Sequence, residues 1–128
     1  MQTLVTALAL SSALLVAGCA NNSANMRVGT DTTYLSLKDQ REAQKTIQVL
    51  ASVPPGATSL GTVDASRCHR NSLQAPPSDA EVTLDLKAAA YARGADGITD
   101  IKIEKSSGLL LNCWTIITGT ATAVALKQ

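Results

Sequence analysis

The 128-residue sequence has no phenylalanine, only two tyrosines and one tryptophan, and a single histidine. So few aromatic side chains leave no platform on which nucleic-acid bases could stack. A net charge of +1 provides no strong attraction to phosphates. One histidine and no cluster of acidic residues leave little material for acid–base catalysis. The composition therefore predicts a protein that is not an enzyme and that binds neither nucleic acid nor a small-molecule substrate.

Charged side chains are also absent from the first 18 residues, where an apolar run at 3–17 has the length of a secretory signal peptide. The run is too short for a good membrane span, and no later stretch approaches about 18 consecutive apolar residues. It leads into LVAGC at positions 15–19, which resembles the lipobox of bacterial lipoproteins. The resemblance implies cleavage after Gly18 and lipid on Cys19. The alternative is an ordinary secretory signal with an incidental cysteine.

The same resemblance implies three acyl chains on Cys19, which would anchor the protein stably because a single chain binds only marginally. An aspartate at the next position retains lipoproteins in the inner membrane of enteric bacteria, so Ala20 favours the outer membrane. Residues 20–33 are small and polar without any period, which predicts flexible chain. We therefore expect a signal peptide at 1–18, a lipidated cysteine and tether at 19–33, and a periplasmic domain at 34–128.

One helix is clearly indicated in that domain. Ser78-Asp79-Ala80-Glu81 has the spacing of a capping box, and Gly94 suits the position that follows a helix. The pattern predicts a helix over 79–93. Its buried stripe, at helical spacing, consists of Val82, Leu86, Ala89 and Ala90.

Alternation and turn residues predict strands around this helix at 46–53, 59–63, 98–105 and 109–126, with a loop at 68–77, a turn at 106–108 and a short edge strand of Tyr34, Leu35 and Leu37. In the last strand, small residues at odd positions (Ile117, Gly119, Ala121, Ala123 and Ala125) are expected to pack on the helix. Threonines at even positions are expected to face solvent. The predicted fold is α+β, with one helix on one face of a small, mainly antiparallel sheet.

Two cysteines remain after lipidation, and in an oxidising compartment an even pair predicts a disulfide between Cys68 and Cys113. Cys113 shares the alternation phase of Ile117, so we expect it on the buried face. His69 raises an alternative, because two thiolates and an imidazole suit zinc or copper. Otherwise His69 is a solvated loop residue. The scattered acids are expected to be solvated as well: Asp85, Asp96, Asp100 and Glu104.

From Leu60 onward the sequence resembles the RcsF family of outer-membrane lipoproteins, which sense envelope stress for the Rcs phosphorelay. The resemblance rests on an ordered set of pieces: LGTV at 60–63, Cys68, PPS at 76–78, the helix ending near Ala95, Cys113, and GTA at 119–121. It implies the Cys68–Cys113 disulfide, the fold and the compartment. The stretch ARGADGI at 92–98, with GTA later, is also similar to the YbjQ-type family, which carries a heavy-metal-binding label.

These observations predict a non-enzymatic outer-membrane lipoprotein whose disulfide-bonded periplasmic domain senses or signals envelope stress, or binds another envelope protein. The predicted site residues are the lipidated Cys19 and the disulfide cysteines Cys68 and Cys113, with no catalytic residue, cofactor or metal. The alternative is a periplasmic metal-binding protein that uses Cys68, Cys113 and His69. A purely structural lipoprotein is a third interpretation.

Overall fold

The computed structural model describes residues 25–27 and 35–127. The predicted signal peptide and Cys19 lie outside these residues. The elements in chain order are strand β1 (Asn25–Arg27), helix α1 (Leu37–Thr46), strands β2 (Gln48–Val49) and β3 (Thr58–His69), helix α2 (Asp79–Ala92), strand β4 (Gly97–Gly108), a 3-10 turn (Leu109–Leu111) and strand β5 (Cys113–Ala125).

The strands form one sheet in the order β1-β3-β5-β4-β2. Neighbours are antiparallel except for β2, which runs parallel to β4 at its edge. The predicted α+β class and mainly antiparallel sheet are therefore confirmed. Within the segment predicted as a tether, residues 25–27 pair with β3.

Helix α2 was predicted correctly. The Ser78 hydroxyl accepts from the Glu81 amide, and the Glu81 carboxylate accepts from the Ser78 amide, which completes the capping box. Val82, Leu86 and Ala90 are fully buried against the sheet. Gly94 follows the helix with a φ of +74°, a conformation that favours glycine.

The small face of β5 lies under this helix, as the alternation predicts. Ile117, Ala121 and Ala123 are buried. At Gly119 a Cβ atom would lie 2.5 Å from Cγ1 of Val82 and 3.1 Å from Cδ1 of Leu86. Glycine at this position therefore sets how closely α2 approaches the sheet.

The prediction of an edge strand that includes Leu35 and Leu37 is wrong, because Leu37 begins helix α1. Ser36 caps this helix by accepting from the Asp39 amide. This segment has little hydrophobic periodicity, because Ala43 is the only buried residue within α1. Ala43 and Ile47, just after the helix, join the core. Helix α1 is thus a polar helix that tertiary packing holds in place.

Strand boundaries differ from the predictions at three places. The strand expected over 46–53 is reduced to β2, two residues long. Cys68 and His69, expected in a loop, continue β3. Residues 106–108, expected as a turn, continue β4, and the chain reverses at the 3-10 turn and Asn112. Asn112 adopts a φ of +57°, so asparagine supplies the left-handed residue that the reversal needs.

Candidate functional site

Cys68 and Cys113 form a disulfide, as predicted, at the end of the sheet where β3 finishes and β5 begins. Their Cα atoms are 5.5 Å apart, and the bond joins residues 45 positions apart in sequence. Cys68 is 0% and Cys113 3% exposed. The bridge therefore links two adjacent strands beneath the protein surface.

The face of the sheet that carries the disulfide was predicted wrongly. Cys68 pairs with Ile116, one step from the pair of Arg67 and Ile117. Arg67 reaches Asp85 on α2, so Cys68 points away from the helix, because successive side chains of a strand alternate between faces.

The physical reason lies in the register of β4 and β5. Ser107 pairs with Thr115, whereas Gly108 pairs with Cys113, so Trp114 is an extra residue on β5. Such a bulge reverses the alternation phase of the residues before it, which moves Cys113 to the face of Cys68. Gly108 makes room for this arrangement: a Cβ there would lie 2.6 Å from both Cβ of Cys113 and Cγ1 of Ile116.

His69 is not a solvated loop residue. It is the last residue of β3 and is 8% exposed. Its Nε2 donates to the carbonyl oxygen of Gln74 at 2.8 Å, which ties the loop after β3 back to the sheet. The assignment of Nε2 as donor follows from the partner, since a carbonyl oxygen only accepts.

The three residues of the metal-binding alternative therefore do not form a metal site in this structure. Both sulfurs belong to the disulfide, and His69 lies on the face opposite to Cys68, because the two residues are adjacent on one strand. Across the part of the chain that the structure describes, no group of three His, Cys, Asp or Glu residues is placed to hold a metal ion.

An ion pair between the helix and the sheet was missed. Nε of Arg67 donates to Oδ2 of Asp85 at 2.6 Å, and Nη2 donates to Oδ1 at 3.1 Å. Nη1 reaches Oε1 of Glu81 at 3.3 Å, so the arginine also contacts the capping box. The prediction that Asp85 is solvated is wrong, since its side chain is only 1% exposed.

The pKa of Arg67 and the positions of both residues in the sequence agree with this ion pair. The hydrogen bond to Asp85 raises the pKa of the Arg67 guanidinium above its ordinary value, although burial acts in the opposite direction. The sequence carries a signal for this pair in the positions of the two residues. Arg67 falls on the same face of its strand as buried Val63 and Ala65. Asp85 lies three residues after Val82, on the same face of the helix. Since both positions face the core, a positive side chain at one and a negative side chain at the other predict an ion pair.

The reversal between β4 and β5 exposes a set of large apolar side chains, which we call the apolar tip: Leu109, Leu110, Leu111 and Trp114. Their exposed fractions are 69%, 101%, 60% and 58%. The sequence interpretation assigned all four to a strand, in which alternate members would be covered. The 3-10 turn instead projects three consecutive leucines from the end of the sheet.

Away from the disulfide, the sheet face opposite α2 is polar, as predicted for the threonines of β5. Two shallow depressions lie there, of about 100 Å³ and 160 Å³. Thr120 and Lys102 line both of them. Ligand pockets commonly measure about 300 to 1,000 Å³, so these depressions are small for an organic ligand.

Among the described residues, no helix is both long and apolar enough to cross a membrane. No protein-family model matches the chain, and a search of curated proteins finds no match either.

Proposed function

We propose that the protein is a non-enzymatic lipoprotein of the bacterial outer membrane, anchored through lipid on Cys19, whose domain lies in the periplasm and binds another envelope protein. The observation that carries the proposal is the Cys68–Cys113 disulfide. Buried structural disulfides belong to oxidising compartments, which agrees with the apolar leader and the LVAGC sequence at 15–19.

The signalling part of the proposal depends on the resemblance to the RcsF family. Cys68 and Cys113, which both belong to the matching pieces, are bonded to each other. The capping box follows Pro76 and Pro77, which is the order that the resemblance implies. The sequence has no further cysteines for a second disulfide, and residues 20–33 contain no proline. The proposed role is therefore the sensing or relay of envelope stress through a protein partner.

The alternative of metal binding requires free thiolates at Cys68 and Cys113. The disulfide occupies both sulfur atoms.

Cell fractionation tests the anchor. The Cys19→Ser variant should accumulate as uncleaved precursor or be released to the soluble periplasm, whereas the neighbouring Ala20→Ser variant should remain in the outer membrane. A normally processed Cys19→Ser protein that stays in the outer membrane would contradict lipidation.

An envelope-stress reporter tests the signalling role separately. Deletion of the gene should change the reporter response to outer-membrane or peptidoglycan damage, and the Ala20→Ser protein should restore it. An unchanged response under both kinds of damage would contradict signalling and leave the anchor unaffected.

A further inference from the structure

The apolar tip lies at one end of the sheet, together with the disulfide. β4 ends at Gly108, and β5 begins at Cys113, with the three leucines between them. Leu73, which is 94% exposed, belongs to the loop that leaves the same end, because His69 at the end of β3 pairs with Thr115 near the start of β5. Large apolar side chains at this density are uncommon on a surface that meets only water.

The N-terminal part of the chain approaches this same end. Asn25 pairs with His69, and Arg27 pairs with Arg67, so β1 begins beside the end of β3. Five residues, 20–24, separate Asn25 from Cys19. Even fully extended, that stretch spans about 20 Å. A lipid on Cys19 would therefore hold this end of the sheet close to the bilayer.

We infer that the apolar tip inserts into the interface of the membrane that holds the Cys19 lipid, which gives the domain a second membrane contact and a fixed orientation. This inference rests on the proposed lipid anchor. The side chains of the tip suit a membrane interface. Leucine side chains enter the boundary between the headgroups and the acyl chains, and tryptophan prefers the level of the lipid headgroups. Arg70, exposed in the loop beside the tip, can meet lipid phosphates.

The orientation that follows is specific. The β2 end of the sheet would point away from the membrane, since β2 pairs with Gly97 and Ile98 at the opposite end of β4. Ten residues of strand lie between Gly97 and Gly108, which are about 35 Å apart. The polar face of the sheet and both helices would stand along this axis, accessible to a partner in the periplasm.

Trp114 is the only tryptophan of the chain, so its fluorescence reports on the tip alone. The full-length protein, purified from the membranes of a bacterium that expresses it, is reconstituted into phosphatidylethanolamine–phosphatidylglycerol vesicles with and without brominated acyl chains. We expect a blue-shifted emission, at least twofold quenching by the brominated lipid, and protection from aqueous acrylamide.

The Leu110→Ser, Leu111→Ser double variant removes two exposed leucines and should lose the quenching while it stays bound to the vesicles through its lipid. Val49→Ser is the matched control, because Val49 is 54% exposed at the opposite end of the sheet. It should behave as the wild type.

The intact mass of the same sample distinguishes a failure of the lipid anchor from a failure of the membrane contact. If lipid is present and Trp114 remains open to acrylamide and unquenched by brominated lipid, the membrane contact is wrong and the anchor stands. Protection from acrylamide without quenching by brominated lipid would place a protein surface or a second copy on the tip, which also overturns the inference. A mass without lipid on Cys19 would overturn both the anchor and the inference.

Discussion

Arg67 on β3 and Asp85 on α2 join the sheet to the helix through two hydrogen bonds, to separate oxygens of one carboxylate at 2.6 and 3.1 Å. The Asp85 side chain is 1% exposed and that of Arg67 14%. A charge buried to this degree is tolerated when an opposite charge neutralises it. Loss of either partner would leave the other charge buried and unpaired, so the pair holds α2 in one position on the sheet.

The first prediction concerns the loss of this arginine. Arg67→Ala should lower the free energy of unfolding by about 3 kcal/mol, because the Asp85 carboxylate remains buried without its arginine. Urea unfolding followed by circular dichroism measures the change. Lys105→Ala, which removes an exposed pair with Asp79, should cost at most about 1 kcal/mol. Equal effects of the two variants would contradict a special role for Arg67.

A second prediction follows from the raised pKa of Arg67. A cation whose pKa is higher in the folded than in the unfolded state stabilises the fold at all pH values below its unfolded pKa, and the contribution is lost only as the pH rises through the folded value. The unfolded pKa of arginine already lies far above neutral pH. The destabilisation by Arg67→Ala should thus not diminish between about pH 7 and pH 9. A penalty that disappears by pH 9 would contradict this.

The third prediction concerns Gly119. Gly119→Ala places a Cβ against Val82 and should cost about 1 to 3 kcal/mol through overpacking. A second change, Val82→Ala, should restore part of that loss, so that the double variant is more stable than the sum of the single effects predicts. Thr120→Ala, at the next position and on the polar face, serves as the control. Additive effects of the Gly119 and Val82 changes would show that the two sites do not meet.

The disulfide provides the fourth prediction. Cys68→Ser and Cys113→Ser should destabilise the domain equally, and the double variant should cost no more than either single one. Closure of a loop of this length is worth about 4 kcal/mol as an upper figure, a large share of the roughly 5 to 15 kcal/mol by which a domain is stable. Losses that add up in the double variant would argue against a shared bond.

The parts of the fold that could be predicted from the sequence are those with local signals. The capping box at Ser78 and Glu81 identified α2, and the alternation of small residues around Gly119 identified the face of β5 that packs on it. The disulfide followed from the number of cysteines and the export signal. These features depend on neighbouring residues or on a count, so no tertiary information was needed.

The missed features depend on contacts between distant residues. Helix α1 shows one buried residue, Ala43, and so lacks a stripe that a periodicity search could find. The bulge at Trp114 reversed the phase of Cys113 without any mark in the sequence. Asp85 and His69 are buried polar residues whose hydrogen-bond partners are not their neighbours in sequence. Asp85 accepts from Arg67, on a different element, and His69 donates to the carbonyl oxygen of Gln74, across a loop. The apolar tip could not be predicted from the sequence, because three leucines and a tryptophan are equally compatible with a strand.

The proposed lipoprotein carries, in one molecule, both lipid on Cys19 and a bond between Cys68 and Cys113. Intact mass and peptide mapping of the protein, purified from membranes without reductant, test it most directly. We expect a chain that begins at an acylated Cys19, two hydrogens short of the fully reduced mass, with the peptides of Cys68 and Cys113 linked. An unmodified Cys19, or free thiols that retain zinc or copper under native conditions, would contradict it.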